Sequence, residues 1–353
     1  MSWFSQKQSA VLGIDISTAA IKLLELSKAG ARYRVESYAV TPLPQDAVID
    51  KNIANIDVIA DTIKIALKQS GSKLKQAAVA VTGSSVMTKV IPMLASLTDD
   101  EMEEQIMVEA DQYVPYSLDE VNFDFEVLGE NESNPEMVNV LLAASRKDII
   151  EDRVEALAKA GLKTKIVDVE AFAMENAFTL LIDQLPEGIE NQTVAIVDIG
   201  ATMTVLNILS NCRTVYTREQ SFGGKQLTEE IQRRYGLTYE EACFAKKLGG
   251  LPDNYTVDVL DPFKRAMVQQ IQRSIQFFVS STANRRINSL ILAGGCASIP
   301  GIDKLAQQAI GVPVVIANPF INMSLAQKIK PQALSNDASA MVIACGLALR
   351  SFD

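Results

Sequence analysis

Short apolar runs that end in an acidic turn occur at two places in this chain and predict buried strands. In the second half, Val194 to Val197 is apolar and Asp198 ends the run. A tight turn then leads to an apolar and β-branched stretch from Met203 to Leu209. Two such runs on either side of a short turn are typical of a β-hairpin. The segment is therefore predicted to carry an aspartate at the tip of a hairpin.

The residues of this turn suit a phosphate group. Gly200 allows backbone N–H groups to approach phosphate oxygens, and the hydroxyl groups of Thr202 and Thr204 add donors. Asp198 can hold a hydrated Mg²⁺ ion, because this ion prefers oxygen ligands. So short a motif more often marks an ordinary turn, and by itself it predicts little.

The same pattern occurs near the start of the chain. The segment VLGIDISTAAIK, residues 11–22, has an apolar run, then Asp15, then a small turn with Ser17 and Thr18, then a second apolar strand. One acidic hairpin in each half of the chain predicts two similar lobes. We expect each lobe to present its hairpin tip to one shared cleft.

Helical spacing of apolar residues predicts the helices that surround these hairpins. One runs from Ile56 to Leu67 and is ended by Gly71. Asp261 and the proline after it predict the start of a long helix that reaches about residue 283. The stretch from Asp337 to Leu349 is almost wholly apolar, which predicts a buried helix capped by Asp337.

Residues 78–165 predict a strand, a helix, two strands and a helix, which together form a small inserted α+β module. Thr98 and Glu101 form a capping box at the start of its first helix. That helix carries many acidic residues away from its apolar face. A solvated outer face explains them more readily than a docking surface does.

Three further segments carry candidate chemistry, and each has a plainer interpretation. Glu170 lies where a strand passes into a helix. It is interpreted either as a residue that faces the cleft or as an ordinary acidic residue at a helix N-terminus. Gly224 and Lys225 precede a helix and could bring backbone amides and an ammonium near a nucleotide. Gly294 and Gly295 follow a strand and form either a flat nucleoside surface or a tight turn.

Composition excludes several function classes. The chain of 353 residues is 48% hydrophobic and 22% charged, which suits a globular protein with a sizeable core. Its net charge of −10 argues against a nucleic-acid binder, which needs a basic face. It contains no histidine, so Ser-His-Asp catalysis, Cys-His catalysis and histidine-ligated metals are excluded. Any metal must then have oxygen ligands, which favours Mg²⁺.

The cysteine and hydropathy patterns favour a cytosolic protein. The four cysteines are widely spaced and form no CxxC pair, so reduced, mostly buried thiols are expected. No apolar run reaches the roughly 20 residues that a membrane-spanning helix needs. We therefore expect a soluble protein that reaches a membrane only through a partner.

Five motifs in fixed order resemble those of the actin, Hsp70 and sugar-kinase superfamily, and they span nearly the whole chain. They are the first phosphate motif GIDIST from Gly13, the first connecting motif VDVEAFAMENA from Val167, the second phosphate motif IVDIGATMT from Ile196, the adenosine motif LAGGCASIPG from Leu292, and the second connecting motif DASAMVIACGLAL from Asp337. The resemblance implies an actin-like α/β fold of two lobes with Mg-ATP bound between them.

The position of the inserted module is similar to that in the cell-division protein FtsA, and within this branch the chain most resembles the PilM family of type IV pilus assembly. That resemblance implies a cytoplasmic scaffold that lies at the inner membrane through its partner. The partner would be PilN, whose N-terminal cytoplasmic tail would dock in a groove between the first lobe and the module. It also allows self-association and contacts with other pilus machinery proteins.

The resemblance also implies roles for individual residues. Asp15 and Asp198 would hold Mg²⁺ through water, and Glu170 would occupy the position that orients the attacking water. Ser17 departs from the superfamily, which often has glycine there, so binding is expected with at most slow hydrolysis. The residues expected to bind nucleotide are Gly13, Asp15, Ser17, Thr18 and Lys22 at the first phosphate loop, Asp198, Gly200, Thr202 and Thr204 at the second, and Gly224, Lys225, Gly294 and Gly295 near the nucleoside.

The motif order also predicts how the chain divides. The first lobe is expected to contain residues 1–77, with 166–190 and 330–353 returning to it, and the inserted module to contain 78–165. The second lobe would contain 191–221 and 286–329, with a mostly helical subdomain at 222–285. A nucleotide-dependent scaffold is the favoured function, and the alternatives are an ATPase or kinase with real turnover and a filament-forming protein.

Overall fold

A computed structural model describes residues 10–30, 32–109, 117–131, 133–186, 192–282 and 286–353. Within these ranges the strands are β1 (Leu12–Ile16), β2 (Ala20–Ala29), β3 (Arg32–Pro42), β4 (Val48–Ile49), β5 (Asn52–Ile53), β6 (Gln76–Val81), β7 (Val86–Leu94), β8 (Val121–Asn131), β9 (Asn134–Arg146), β10 (Lys163–Val169), β11 (Thr193–Ile199), β12 (Thr204–Ser210), β13 (Arg213–Gln220), β14 (Ser289–Ala293), β15 (Val314–Ile316) and β16 (Ser324–Leu325). The helices are α1 (Ile56–Ser70), α2 (Asp99–Glu109), α3 (Lys147–Lys159), α4 (Glu170–Phe178), α5 (Gly224–Tyr235), α6 (Tyr239–Leu248), α7 (Asp261–Ser281), α8 (Ile302–Ile310), α9 (Pro331–Asp337) and α10 (Val342–Leu349).

Two large sheets repeat one arrangement. The first has the order β10-β6-β1-β2-β3-β16, and the second has the order β13-β12-β11-β14-β15. In each sheet the first strand of the acidic hairpin pairs antiparallel with its hairpin partner and parallel with the strand on its other side. The two predicted hairpins, β1–β2 and β11–β12, are therefore confirmed, and they occupy equivalent positions in the two sheets.

Apolar side chains form alternating layers of helix and sheet. Helices α1 and α3 cover the outer face of the first sheet, and α5, α7 and α8 cover the outer face of the second. Between the sheets lie α4 and α10, whose side chains join both inner faces in one cluster. Buried residues of this central cluster include Val11, Ala173, Met174, Phe178, Ile196, Ile291, Val342 and Leu347.

The central helices pack at very short range because glycines remove side chains at the contacts. A Cβ atom on Gly13 of β1 would lie 2.2 Å from the Ala344 carbonyl oxygen of α10. A Cβ atom on Gly346 of α10 would lie 1.8 Å from the Ala173 carbonyl oxygen of α4. The last helix is thus buried and closes the fold, as its apolar sequence predicted.

The inserted module is a separate three-stranded sheet of order β7-β9-β8 with α2 packed on it. Both ends of the predicted module, residues 78–165, contact the first sheet. Strand β6 pairs within the first sheet, and α3 packs on that sheet through Ala156 and Leu157. The chain also returns to the first sheet before residue 330, because β16 pairs with β3.

Helix ends agree with the sequence where a local signal marks them. Gly71 ends α1 with a φ of 65°, and Thr98 and Glu101 exchange the two hydrogen bonds of a capping box. Asp337 was wrongly predicted to cap the last helix. It ends α9, which Pro331 starts, and the chain then passes through a 3₁₀ turn into α10. Asp261 already has helical dihedral angles, because a π-helical turn at Thr256–Leu260 precedes α7.

Candidate functional site

The first hairpin carries a buried ion pair. Asp15 is 4% exposed near the end of β1, and its cross-strand partner Lys22 places Nζ 2.8 Å from the Asp15 carboxylate. Burial lowers the pKa of Lys22, but the negative charges of Asp15, Asp198 and Glu170 together raise it by more. The net shift of the pKa is therefore upward. Lys22 is therefore charged, and three carboxylates share its field.

The hydroxyl of Ser17 is used inside its own hairpin. It donates to the Ala20 carbonyl at 2.8 Å and accepts from the Ala20 backbone N–H at 3.3 Å. These bonds close the turn between β1 and β2. The serine therefore has a local role that the sequence comparison with glycine-containing relatives did not predict.

The second hairpin places Asp198 one residue before the end of β11. The Gly200 N–H donates to the Met203 carbonyl and closes the turn. Burial raises the pKa of Asp198, the nearby Lys22 lowers it, and the net direction is upward. Gly294 contacts this aspartate directly, because a Cβ atom there would lie 2.3 Å from the Asp198 carboxylate. Its φ of 84° also favours glycine.

The tips of the two hairpins meet. The Thr202 hydroxyl donates to the Thr18 hydroxyl across 3.3 Å, although the residues belong to different sheets. The negative charges of Asp15 and Asp198 both raise the pKa of Lys22, although the two aspartates belong to different sheets. The structure thus brings together the acidic tips that the repeated sequence pattern predicted to share one cleft.

Glu170 is the first residue of α4, and it is paired with a lysine that sequence analysis missed. Lys51 Nζ lies 2.8 Å from the Glu170 carboxylate and 3.4 Å from that of Glu219. Burial raises the pKa of Glu170, Lys51 lowers it, and the field of Asp15 raises it again. The net direction is upward. Glu170 is thus a partly buried carboxylate neutralised by one ammonium.

The backbone of Lys51 is held in place by a buried arginine. Lys51 lies in the β4–β5 turn, where it and Asp50 have φ values of 64° and 46°. Arg153, only 2% exposed, donates to the Lys51 carbonyl at 3.1 Å and to the Ala80 carbonyl at 2.9 Å. Two consecutive residues of positive φ are typical of a tight hairpin turn. Asp-Lys is not a usual sequence for it, so no local signal marked this lysine.

The amides predicted to approach a nucleoside are already bonded to the second hairpin. The Gly224 N–H donates to the Gly200 carbonyl at 3.0 Å, and the Lys225 N–H donates to the Ala201 carbonyl at 2.7 Å. The start of α5 therefore supports the phosphate turn from behind. Gly295, by contrast, is exposed and has no heavy atom within 4 Å of where a Cβ would lie, so the surface beside it is open.

A second lysine that sequence analysis missed lies beside this turn. Lys246 of α6 donates to the Gly224 carbonyl at 3.2 Å and to the Thr228 hydroxyl at 2.6 Å. Burial lowers its pKa. The position of Lys246 within α6 does not predict this contact, because Gly224 and Thr228 lie on another helix, α5.

Two predicted residues pack closely against neighbouring elements. Gly13 lies against α10, as described above. Thr204 is 2% exposed, and its hydroxyl donates to the Phe222 carbonyl at 2.8 Å. Both residues therefore act in packing in this conformation.

The described ranges contain no group of three or more histidine, cysteine, aspartate or glutamate side chains that could hold a metal ion. Within the same ranges, no helix is both long and apolar enough to cross a membrane.

Comparison with known families identifies the architecture. The sequence model of the family "Type IV pilus assembly protein PilM" matches residues 13–352. The chain belongs to the PilM family. A solved structure titled "PilM-PilN type IV pilus biogenesis complex" contains a similar chain, with 27% identity and a TM-score of 0.80. The match covers 98% of this chain and 99% of that one, so this PilM-family protein has the same fold throughout.

More distant relatives support the actin-like fold. The cell division protein FtsA of Streptococcus pneumoniae is 22% identical, over 87% of this chain and 75% of its own length. FtsA of Bacillus subtilis is also 22% identical, over 87% and 78%. The ethanolamine utilization protein EutJ from Carboxydothermus hydrogenoformans is 15% identical with a TM-score of 0.55, over 96% of this chain and 89% of its own. The PilM-family chain therefore has the predicted actin-like fold.

Proposed function

We propose that this protein is a Mg-ATP-binding scaffold of the type IV pilus inner-membrane assembly complex. The meeting of the two hairpin tips carries the proposal, since the Thr202 hydroxyl contacts the Thr18 hydroxyl across 3.3 Å and each hairpin carries an aspartate beside its tip. Lys22 and Lys51 supply ammonium groups at the same place. Hydroxyls, ammoniums and glycine turns together suit a polyphosphate.

The donor set fits a magnesium ion held mainly by water and phosphate. Asp15 and Asp198 offer oxygen atoms only, and oxygen atoms are the ligands that Mg²⁺ prefers. These two aspartates would hold the ion, through water. When bound with the nucleotide, Mg²⁺ supplies positive charge that offsets the crowded carboxylates and phosphates.

Two observations favour a scaffold over a fast enzyme. Glu170 is ion-paired with Lys51, so it is not a free base in this conformation. Ser17 retains a side chain where the superfamily often has glycine, and its hydroxyl closes the turn. Slow hydrolysis at most is expected from this arrangement, and the nucleotide would then act by setting the angle between the lobes.

The likeness to a chain of the PilM-PilN complex supports PilN as the partner. We propose that the N-terminal cytoplasmic tail of PilN docks in the groove between the first lobe and the inserted module. The protein would then be cytoplasmic and would lie at the inner membrane through this partner. Self-association and contacts with other pilus machinery are compatible with such a scaffold.

Calorimetric titration with Mg-ATP tests the nucleotide part, with single-turnover phosphate release measured in the same sample. The wild type is expected to bind, and Asp198→Ala is expected to lose binding while it stays folded by circular dichroism. Asp61→Ala is the matched control, because Asp61 is an exposed aspartate on α1. Unchanged affinity in Asp198→Ala would contradict the shared cleft. Steady phosphate release would favour the enzyme instead.

A synthetic peptide of the PilN N-terminal tail tests the partner. Fluorescence anisotropy should report binding to the purified protein and a different affinity when Mg-ATP is present. A peptide of the same composition in scrambled order is the control. Equal binding of both peptides, or of neither, would contradict the proposed docking.

A further inference from the structure

Glu219 lies where three parts of the molecule meet. It is the second-last residue of β13, the edge strand of the second sheet. Its Oε1 atom accepts from the Ser84 backbone N–H at 3.3 Å, and the same atom lies 3.4 Å from Lys51 Nζ. One oxygen of the second lobe thus contacts the first lobe and the start of the inserted module. The side chain is only 15% exposed, which strengthens both contacts.

Ser84 belongs to the module root, which we define as the 3₁₀ turn Gly83–Ser85 that joins β6 to β7. The root also holds the strand by which the chain leaves the module. The Ser145 hydroxyl, on β9, donates to the Ser85 carbonyl at 3.1 Å. Both chain crossings between the first sheet and the module are therefore tied to this turn, and a change at Ser84 reaches both.

The ammonium of Lys51 is shared between two carboxylates. Arg153 holds the Lys51 backbone by a hydrogen bond to its carbonyl. The Lys51 side chain extends from there to Glu170 and Glu219, two carboxylates on different elements. An anion of higher charge that arrives in the cleft competes with both carboxylates for the ammonium. Glu219 is the weaker competitor, since its distance of 3.4 Å exceeds the 2.8 Å to Glu170.

We propose that Glu219 is a positioning residue that couples the nucleotide cleft to the module root. Without nucleotide, it holds Lys51 and the Ser84 N–H together. When a terminal phosphate takes the Lys51 ammonium, Glu219 loses its counter-cation and turns toward water, and the root is released. The inference rests on the proposed nucleotide site, and it assigns the route by which that site regulates the partner groove beside the module. Such a link can transmit only the difference in affinity between the two states.

Hydrogen exchange of the full-length protein, followed by mass spectrometry, tests this coupling with Mg-AMPPNP as the probe. Peptides covering residues 82–87 should exchange about fivefold faster when the nucleotide is bound, as expected for a typical coupling between sites. Glu219→Ala should show the faster exchange without nucleotide and no further change with it. Glu219→Gln keeps an acceptor for the Ser84 N–H but carries no charge. It should retain slow exchange and lose the response to nucleotide.

Glu175→Gln is the matched control. Glu175, on α4, also anchors β13, because its carboxylate accepts from the Thr214 backbone N–H at 2.6 Å, but this contact lies far from the module root along the strand. The control should respond to nucleotide as the wild type does. An equal loss of response in Glu175→Gln would overturn the proposal, since the effect would then reflect general loosening of β13.

A calorimetric titration of each sample separates this inference from the proposed function. Nucleotide binding without a change in exchange at residues 82–87 overturns the coupling and leaves the nucleotide site standing. A wild-type response in Glu219→Ala overturns it as well. Absence of nucleotide binding in the wild type overturns the proposed function, and the coupling with it.

Discussion

Lys51 Nζ lies 2.8 Å from the Glu170 carboxylate, although the two residues are 119 positions apart in the chain. The pair joins the β4–β5 turn to the first residue of α4. It compensates a carboxylate whose pKa burial alone would raise further. The ion pair thus offsets part of the effect by which burial raises the pKa of Glu170.

Lys51→Met should destabilise the protein by about 2 kcal/mol at pH 7.5, because it leaves Glu170 and Glu219 without their shared cation. Removing one partner of a fully buried pair costs more, and the partial exposure here reduces the effect. Urea unfolding monitored by circular dichroism measures the change. The double variant Lys51→Met/Glu170→Gln should recover most of the loss. A double variant no more stable than Lys51→Met would show that the ion pair is not the cause.

The buried acids also predict a pH dependence of stability. The pKa values of Asp198 and Glu170 are raised, mainly by burial, so the native state binds protons more tightly than the unfolded state does. Their contribution to stability is fully present below the ordinary carboxyl pKa of about 4 and is lost as the pH rises through the raised values. Without nucleotide, Asp198→Asn should therefore be more stable than the wild type at pH 7.5. The difference should shrink toward pH 4.

Thermal unfolding between pH 4 and pH 8 measures this difference. Asp183→Asn is a suitable control, because Asp183 lies in a short turn after α4 and outside the cleft. A constant difference between Asp198→Asn and the wild type at every pH would contradict the assignment to a buried carboxylate.

Local sequence patterns were enough to predict the hairpins. An apolar run, an acid and a small turn specify both strands and the residue at the tip, so Asp15 and Asp198 were found. The repeat then predicted that the tips meet, and the contact of Thr18 with Thr202 agrees with this. These features depend on neighbours in the chain, which periodicity describes well.

Residues defined by distant neighbours were missed. Lys51 and Glu219 contact each other across 168 positions, and neither lies in a recognisable motif. Gly13 was assigned to the phosphate loop, but the structure explains it by contact with α10, which no local pattern reveals. The packing of α3 on the first sheet is likewise a tertiary contact, which no local pattern reveals.

Two glycine variants separate packing from binding. Gly13→Ala should lower stability by about 3 kcal/mol, because its Cβ would overlap the backbone of α10. Gly295→Ala should change stability by less than about 0.5 kcal/mol, because the added methyl group meets no atom. It should weaken nucleotide binding about tenfold if the nucleoside packs on this surface, a change of about 1.4 kcal/mol.

Urea unfolding and calorimetric titration of both glycine variants supply the two readouts. Gly30→Ala is the control for backbone strain without a steric clash. A Cβ atom on Gly30 would meet no atom, but its φ of 62° disfavours alanine. Unchanged nucleotide affinity in Gly295→Ala would remove this residue from the proposed site and leave the packing argument for Gly13 intact.

The two roles of Ser17 can be distinguished by two substitutions. Ser17→Ala loses the hydrogen bonds to Ala20 and should lower stability by about 1 kcal/mol, while it keeps the Cβ atom near the phosphate turn. Ser17→Gly loses the Cβ atom as well. If this atom crowds the terminal phosphates, only the glycine variant should hydrolyse Mg-ATP faster, and its nucleotide affinity should stay close to that of the wild type.

Single-turnover phosphate release at saturating Mg-ATP compares the two variants with the wild type. Equal acceleration in Ser17→Ala and Ser17→Gly would assign the effect to the hydroxyl and its closure of the β1–β2 turn. No acceleration in either variant would mean that Ser17 does not limit turnover. The ion pair of Glu170 with Lys51 would then be the remaining structural reason for slow chemistry, because a paired carboxylate cannot orient water freely.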